Sequence, residues 1–406
     1  MIQKNLSDIC IIGAGMVGLS LANQIIERFP GLSVSILDKE SKVGQHTSGR
    51  NSGVLHAGLY YEPGSLKAKV CVDGAKRLKS WCADEKLPII DCGKIITPQK
   101  LELDSQLDVL LNRGIANGAK VELIDEKQFY KLAPDSYSSS GRALWSPGTC
   151  VVNPLLVVNR LKENLIKKGV IFHFFEDNWE LNKEKNGIIL SDKSTIEYDF
   201  IFNCAGLHSD RVAHKFGVGK EFTMLPFKGS YWQLKKDAPF KFNTNIYPVP
   251  DLEVPFLGVH ITPGFGGKTY LGPTATPALG RENYEGFKKI EPKMSMEFAY
   301  HMLNQMLIDK KMRNYTIDQA LEWMPSKFLA AAKSIIPNLS LDHIEKSSKV
   351  GIRPQLYNLT EKKLVQDFIV IEEKKSSHII NAISPAFTAS FAFADYIIDN
   401  SAFFKT

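Results

Sequence analysis

Residues 8–38, DICIIGAGMVGLSLANQIIERFPGLSVSILD, constrain this chain more than any other segment. Asp8 to Ile12 is an apolar run of strand type, and Gly13, Gly15 and Gly18 follow it in G-x-G-x-x-G register. Met16 to Arg28 has helical periodicity, and Ser33 to Leu37 reads as a second strand with Asp38 at its end. In that setting each glycine has its own task. Gly13 permits a tight turn, Gly15 lets the backbone approach a pyrophosphate, and Gly18 lets the helix lie close against the strand. The helix N-terminus offers N–H groups and a positive dipole end to phosphate. Asp38, twenty residues beyond Gly18 (38 − 18), can accept from ribose hydroxyls. These features together predict the phosphate-binding half of a dinucleotide site.

Composition narrows the class. A chain of 406 residues can hold two domains with real cores. Its net charge of +6 is spread out, with no basic stripe, so nucleic acid is not expected as a partner. The sequence has no uninterrupted apolar run long enough to span a bilayer. The start, MIQKNLSD, lacks the apolar core of a signal peptide, so a cytoplasmic setting is expected, with peripheral attachment at an inner membrane as its variant. The six cysteines form no C-x-x-C pair and read as reduced, buried thiols, which leaves no metal site.

After Asp38 comes a polar, glycine-spaced loop, HTSGRNSGVLHAGLYYEPGSLKAK. Its glycines would let backbone lie against the ring of a flavin. The contact candidates are Thr47, Ser48, Arg50, Asn51, Ser52 and Gly53. HTSGRNSGVLHAGLYYEPGSLKAKVCVDG resembles the second flavin-contact motif of the L-2-hydroxyglutarate dehydrogenases and oxidases, within the D-amino-acid-oxidase-like superfamily of FAD enzymes. NCAGLHSDRVA, FKGSYW, YPVPDLEVPFLGVHITP, GIRPQ and NAISPAFTASFAFADYIID resemble later segments of that family, in order, over nearly the whole chain.

The resemblance implies an α/β architecture. A glutathione-reductase-like, Rossmann-type FAD-binding domain (1–88, 142–218 and 347–406) would be interleaved with an antiparallel-sheet substrate domain (89–141 and 219–346). Further helices are expected at Ser65 to Lys86, Leu101 to Gly118, Asn153 to Lys168, Met294 to Arg313 and Ile317 to Ala332. The resemblance also implies flavin contacts at Ala205 and Gly206, where a strand returns to the cofactor. Others fall at Pro385, Ala386 and Thr388, before a terminal helix whose dipole would favour an anionic reduced ring. The chain departs from the family's pattern at Asn153, where an acid is usual, and at Thr274, where Asn is usual.

Oxidising a 2-hydroxy acid requires a cation for the carboxylate, a base for the hydroxyl proton and a hydride acceptor. Arg353, in GIRPQ, offers a planar fork for a carboxylate. His260, expected to end a substrate-sheet strand, is the favoured base, with His56 as flavin neighbour and His208 a weaker third. Lys228, Tyr231 and Tyr247 lie on expected strands of the substrate sheet, and any of them, or Arg50, could take a second carboxylate. The expected activity is FAD-dependent oxidation of an L-2-hydroxy acid, foremost L-2-hydroxyglutarate to 2-oxoglutarate. Electrons would pass to quinone or oxygen, because no second nucleotide fingerprint offers an NAD(P) site. The helix from Met294 reads as core, with a lipid-facing patch as the alternative. The rival readings are an amino-acid or amine oxidase, and a non-catalytic FAD-binding regulator. Oligomeric state is left open.

Overall fold

A computed structural model describes residues 5–182, 184–250, 258–308 and 324–405. The strand Asn5–Ile12 lies inside an eight-stranded sheet, parallel to Val34–Leu37 on one side and to Thr195–Asn203 on the other. Its run is apolar at successive positions because both faces are covered. Ile9 and Ile11 pack into a core shared with helices Met16–Arg28, Leu66–Asp84, Pro154–Lys167 and Ala386–Asn400. Cys10 and Ile12 face the other way, onto Trp179, Ile188 and Tyr198.

Close approaches in this half are made by glycine. A Cβ at Gly18 would sit 2.1 Å from the carbonyl oxygen of Gly13, and one at Gly74 would sit 2.6 Å from Cα of Ala389, where helices Leu66–Asp84 and Ala386–Asn400 meet. Neither contact can be relieved by rotating a side chain. Gly18→Ala should therefore cost about 1–3 kcal/mol and shift the first turn of Met16–Arg28 away from phosphate. A lower thermal midpoint together with a lower flavin-to-protein absorbance ratio would register both effects.

The second sheet has ten strands and is dominated by the antiparallel pairing of Phe222–Leu234 with Ile344–Asn358, in which Phe227 faces Arg353. Lys94–Thr97 joins it between Asn245–Pro248 and Ala143–Ser146. A three-stranded sheet of Val54–Leu55, Cys150–Val152 and Ile89–Ile90 lies apart from both.

Several elements differ from the sequence expectation. Ala143–Ser146 and Ile344–Asn358 pair into the ten-stranded sheet, although residues from 142 and from 347 were assigned to the nucleotide domain. Strand propensity carries no information about which sheet receives a strand. Asn153 caps the helix Pro154–Lys167, accepting from the N–H of Leu155 and Leu156, which gives its departure from the family pattern a structural reason. The stretch from Leu101 divides into a short 3₁₀ turn, Leu101–Leu103, and the helix Ser105–Ala116. His260 opens a strand, His260–Pro263, rather than ending one. The centre of PVPDLEVPFLGVH, the end of the helix beyond Ile308 and the start of the one expected from Ile317 lie outside the described residues. All six cysteines are buried and free.

Candidate active site

One long cavity of about 500 Å³ runs from the glycine turn to the ten-stranded sheet. At its first end Gly13 turns with φ of +109°, and a Cβ there would lie 2.4 Å from the carbonyl oxygen of Cys204. Met16–Arg28 starts from Gly15, which has no side chain to cap it, and this end of the helix borders the cavity. Ser48 leans across Gly15 and accepts the N–H of Met16 at 2.8 Å. Asp38 accepts from the N–H of Ala14 at 2.7 Å and of Glu40 at 2.9 Å, and burial raises its pKa. Its carboxylate therefore shapes the turn as well as bordering the cavity. Glu176, Asp177 and Trp179, none of them singled out in the sequence, complete this end. The Lys215 ammonium lies 3.9 Å from the Trp179 ring centre.

The middle is lined by Thr47, Ser48, Arg50, Asn51 and Ser52, by Ala205 and Gly206, and by Pro385, Ala386 and Thr388. Gly53 stands behind this wall, with φ of +80° and no room for a Cβ against the Val152 carbonyl. Gly18 likewise supports the wall from within the helix. Thr388 does not cap the terminal helix; its hydroxyl donates to the Val54 carbonyl and accepts the His56 N–H, both at 3.2 Å. The Arg50 guanidinium is committed to its loop, with Nε donating to Gln45 O at 2.7 Å and its plane over Tyr284 at 4.1 Å.

Residues 281–284 contact several residues next to this middle section. Arg281 and Asp210 make a buried two-armed ion pair, and burial of that carboxylate is outweighed by the guanidinium, which lowers its pKa. Glu282 meets Lys39 at 2.5 Å and His208 Nε2 at 3.0 Å, and those partners hold its pKa well down. His46 bridges Glu40 and the Tyr284 hydroxyl. The clasp was not legible, because its partners lie more than 70 residues apart in the chain.

At the far end His56, Tyr231, Tyr247, His260 and Arg353 come together. Lys228 does not line the cavity; its ammonium donates to Asn283 Oδ1 at 2.8 Å. Thr274 accepts the Ser230 N–H at 3.1 Å, a backbone role that an amide could also fill. His260 Nδ1 lies 2.9 Å from Gly258 O. A carbonyl only accepts, so Nδ1 carries the proton and Nε2 is the unprotonated acceptor. The His260 ring stacks on Tyr247, 3.9 Å between centres.

Burial pushes the His260 pKa down to about 4 and that of His56 down to about 3; His378, in the nucleotide-binding half, falls to about 4 for the same reason. All three begin from 6.5 when exposed. Below that value the unfolded chain binds protons that the folded chain refuses. Stability contributed by these neutral rings should be intact above pH 6.5 and fall as pH drops towards about 4. A lower urea midpoint at pH 5 than at pH 7 would register it.

This arrangement, a dinucleotide cradle continuing into a pocket with a guanidinium and neutral imidazoles, defines a flavin-dependent oxidoreductase. The chain matches the family described as FAD dependent oxidoreductase over residues 8–400, and it belongs to that family. Among its relatives are proteins named L-2-hydroxyglutarate dehydrogenase. The chain is 35% identical to the one from Caenorhabditis briggsae, covering 96% of this chain and 92% of the relative. It is 33% identical to the Homo sapiens protein, covering 97% and 88%, and 30% identical to that of Escherichia coli (strain K12), covering 96% and 92%. In fold it is similar to the FAD-bound L-alpha-glycerophosphate oxidase from Mycoplasma pneumoniae, with a TM-score of 0.72 at 21% identity over 96% of this chain and 93% of the other. Glycine oxidase from Geobacillus kaustophilus also aligns with a TM-score of 0.72, at 15% identity over 98% and 94%. The cofactor is FAD, and the glycine cradle fits it.

Proposed function

We propose that this protein oxidises L-2-hydroxyglutarate to 2-oxoglutarate. The observation that supports the proposal is that Arg353 and His260 both line the cavity that begins at the dinucleotide turn, in a chain 35% identical to one of the L-2-hydroxyglutarate dehydrogenases. Bound FAD supplies the hydride acceptor. Arg353 holds the carboxylate next to the reacting carbon in a planar fork. Nε2 of His260 takes the hydroxyl proton, its tautomer fixed by Gly258. The buried Tyr247 ring supports the imidazole from one side and helps keep water from the pocket. His56 borders the pocket as a neutral neighbour, and Thr47, Ser48, Asn51, Ser52 and the backbone at Ala205, Gly206, Pro385 and Ala386 hold the cofactor.

The electron acceptor fits a quinone or oxygen, since the chain carries a single glycine fingerprint. Among the described residues no helix is long and apolar enough to cross a membrane. A peripheral contact is favoured by the helix Pro292–Ile308. It buries Met294, Phe298 and Met302 and exposes Met296, Tyr300 and Leu303, with the exposed Phe287, Lys288 and Lys293 nearby in sequence.

Turnover with an artificial acceptor, followed by product analysis, tests the substrate. L-2-hydroxyglutarate should give 2-oxoglutarate and no ammonia. Faster turnover of an amino acid, with ammonia released, would replace this reading by the amino-acid oxidase one.

A further inference from the structure

Two cations at the substrate end have no role in the mechanism above: Lys349, over the rings of Tyr231 and Tyr270, and Lys94, nearer the histidines. Lys94 is fully buried, on the strand Lys94–Thr97 that pairs with Asn245–Pro248. Its Nζ has no hydrogen-bond partner among the described residues, although an ammonium carries three donors. It lies 4.7 Å from the centre of the Tyr60 ring and 5.2 Å from that of Tyr247. The ionisable groups around it are Tyr60, Tyr247, Cys71, His56 and His260, and all are neutral at pH 7. No carboxylate pairs with it among the described residues.

Two further buried polar atoms in this group also lack partners, the Tyr60 hydroxyl and Nδ1 of His56. A buried ammonium faced only by aromatic rings and neutral groups is expensive, and cation–π attraction offsets part of that cost. Tyr247 and His56 border the cavity and Lys94 sits one layer behind them. Its field therefore reaches the pocket through low-dielectric side chains, where a charge acts more strongly than in water.

We infer that Lys94 is a positioning residue that sets substrate specificity: its uncompensated positive charge, behind His56 and Tyr247, selects 2-hydroxy acids that carry a second carboxylate. Arg353 serves the carboxylate beside the reacting carbon, and Lys94 attracts the distal one without touching it. This rests on the hydroxy-acid reading and deepens it. Neither Lys228 nor Arg50 is placed for the task, the first because it faces Asn283 and the second because it is held by Gln45 and Tyr284.

The test compares L-2-hydroxyglutarate with L-2-hydroxyvalerate, a monocarboxylate of equal chain length, on the FAD-loaded protein and on Lys94→Met. The methionine variant should raise KM for the dicarboxylate about tenfold or more, and leave KM for the monocarboxylate and the flavin spectrum unchanged. Equal losses on both substrates would assign Lys94 a purely structural role and overturn the inference. If the wild-type flavin is reduced by neither acid, the hydroxy-acid reading itself fails, which is a separate outcome.

A second measurement varies pH. Burial lowers the Lys94 pKa to about 8, so its charge is present below that pH and lost above it. The wild-type preference for the dicarboxylate should decline as pH rises through about 8; burial lowers the pKa of Lys349, beside Tyr231, to the same value, so the same decline in Lys94→Met would assign it to Lys349 and overturn the inference. A preference that stays flat to pH 10 would contradict the inference even if Lys94→Met did not fold.

Discussion

Replacing Arg353 by methionine should lower kcat/KM for L-2-hydroxyglutarate by about a thousandfold while the protein keeps its flavin. Loss of one partner from a buried, charge-assisted carboxylate contact costs about 2–5 kcal/mol, and a thousandfold corresponds to about 4. Arg353→Lys should recover only part of that loss, because an ammonium is a point charge and cannot form the planar fork. Arg353 sits opposite Phe227 in the long strand pair, whose register continues through the residues before and after it. Truncating its side chain should leave the sheet intact. Unchanged thermal midpoint and flavin absorbance, alongside the kinetic loss, would separate substrate orientation from folding.

The second large effect is expected at His260. His260→Gln removes the proton acceptor and should lower kcat by about 10²–10⁴-fold, with a smaller effect on KM. The pH dependence carries the sign. Only the neutral ring can accept a proton, and burial holds its pKa at about 4. The acid limb of kcat/KM attributable to this group should therefore fall as pH drops towards about 4, well below the usual histidine range. The variant should lose that limb. The same substitution at His56 should cost less, because no carbonyl fixes its tautomer and Nδ1 has no partner.

Much of this site was legible because its physics is local. The spacing of Gly13, Gly15 and Gly18 is a local pattern, and the close packing of Gly18 on the Gly13 carbonyl is set by a neighbour five residues away, although the crowding at Gly13 comes from Cys204 and that at Gly15 from Ser48. The loop from Thr47 to Gly53 was legible for a similar reason, as a run of small and polar residues with no core to fill. What stayed hidden depends on tertiary pairing. The Arg281–Asp210 and Glu282–Lys39 contacts join segments far apart in the chain. Lys228 looked available because strand alternation shows which face a residue occupies, not what stands opposite it. Lys94 lies in the apolar strand CGKIIT, and a lysine inside such a run was the available signal. Sheet membership of Ala143–Ser146 and Ile344–Asn358 was likewise invisible, since a segment's composition does not name its partner strand, and the second carries Lys, Gly and Pro that strands usually lack.

The central claim is that one cavity holds FAD and grips a 2-hydroxy acid against it. Anaerobic titration of the flavin-loaded protein with L-2-hydroxyglutarate tests this most directly. Bleaching of the oxidised flavin band, with one 2-oxoglutarate formed per flavin reduced, is the predicted result. A fully loaded flavin that stays oxidised at saturating acid would contradict it.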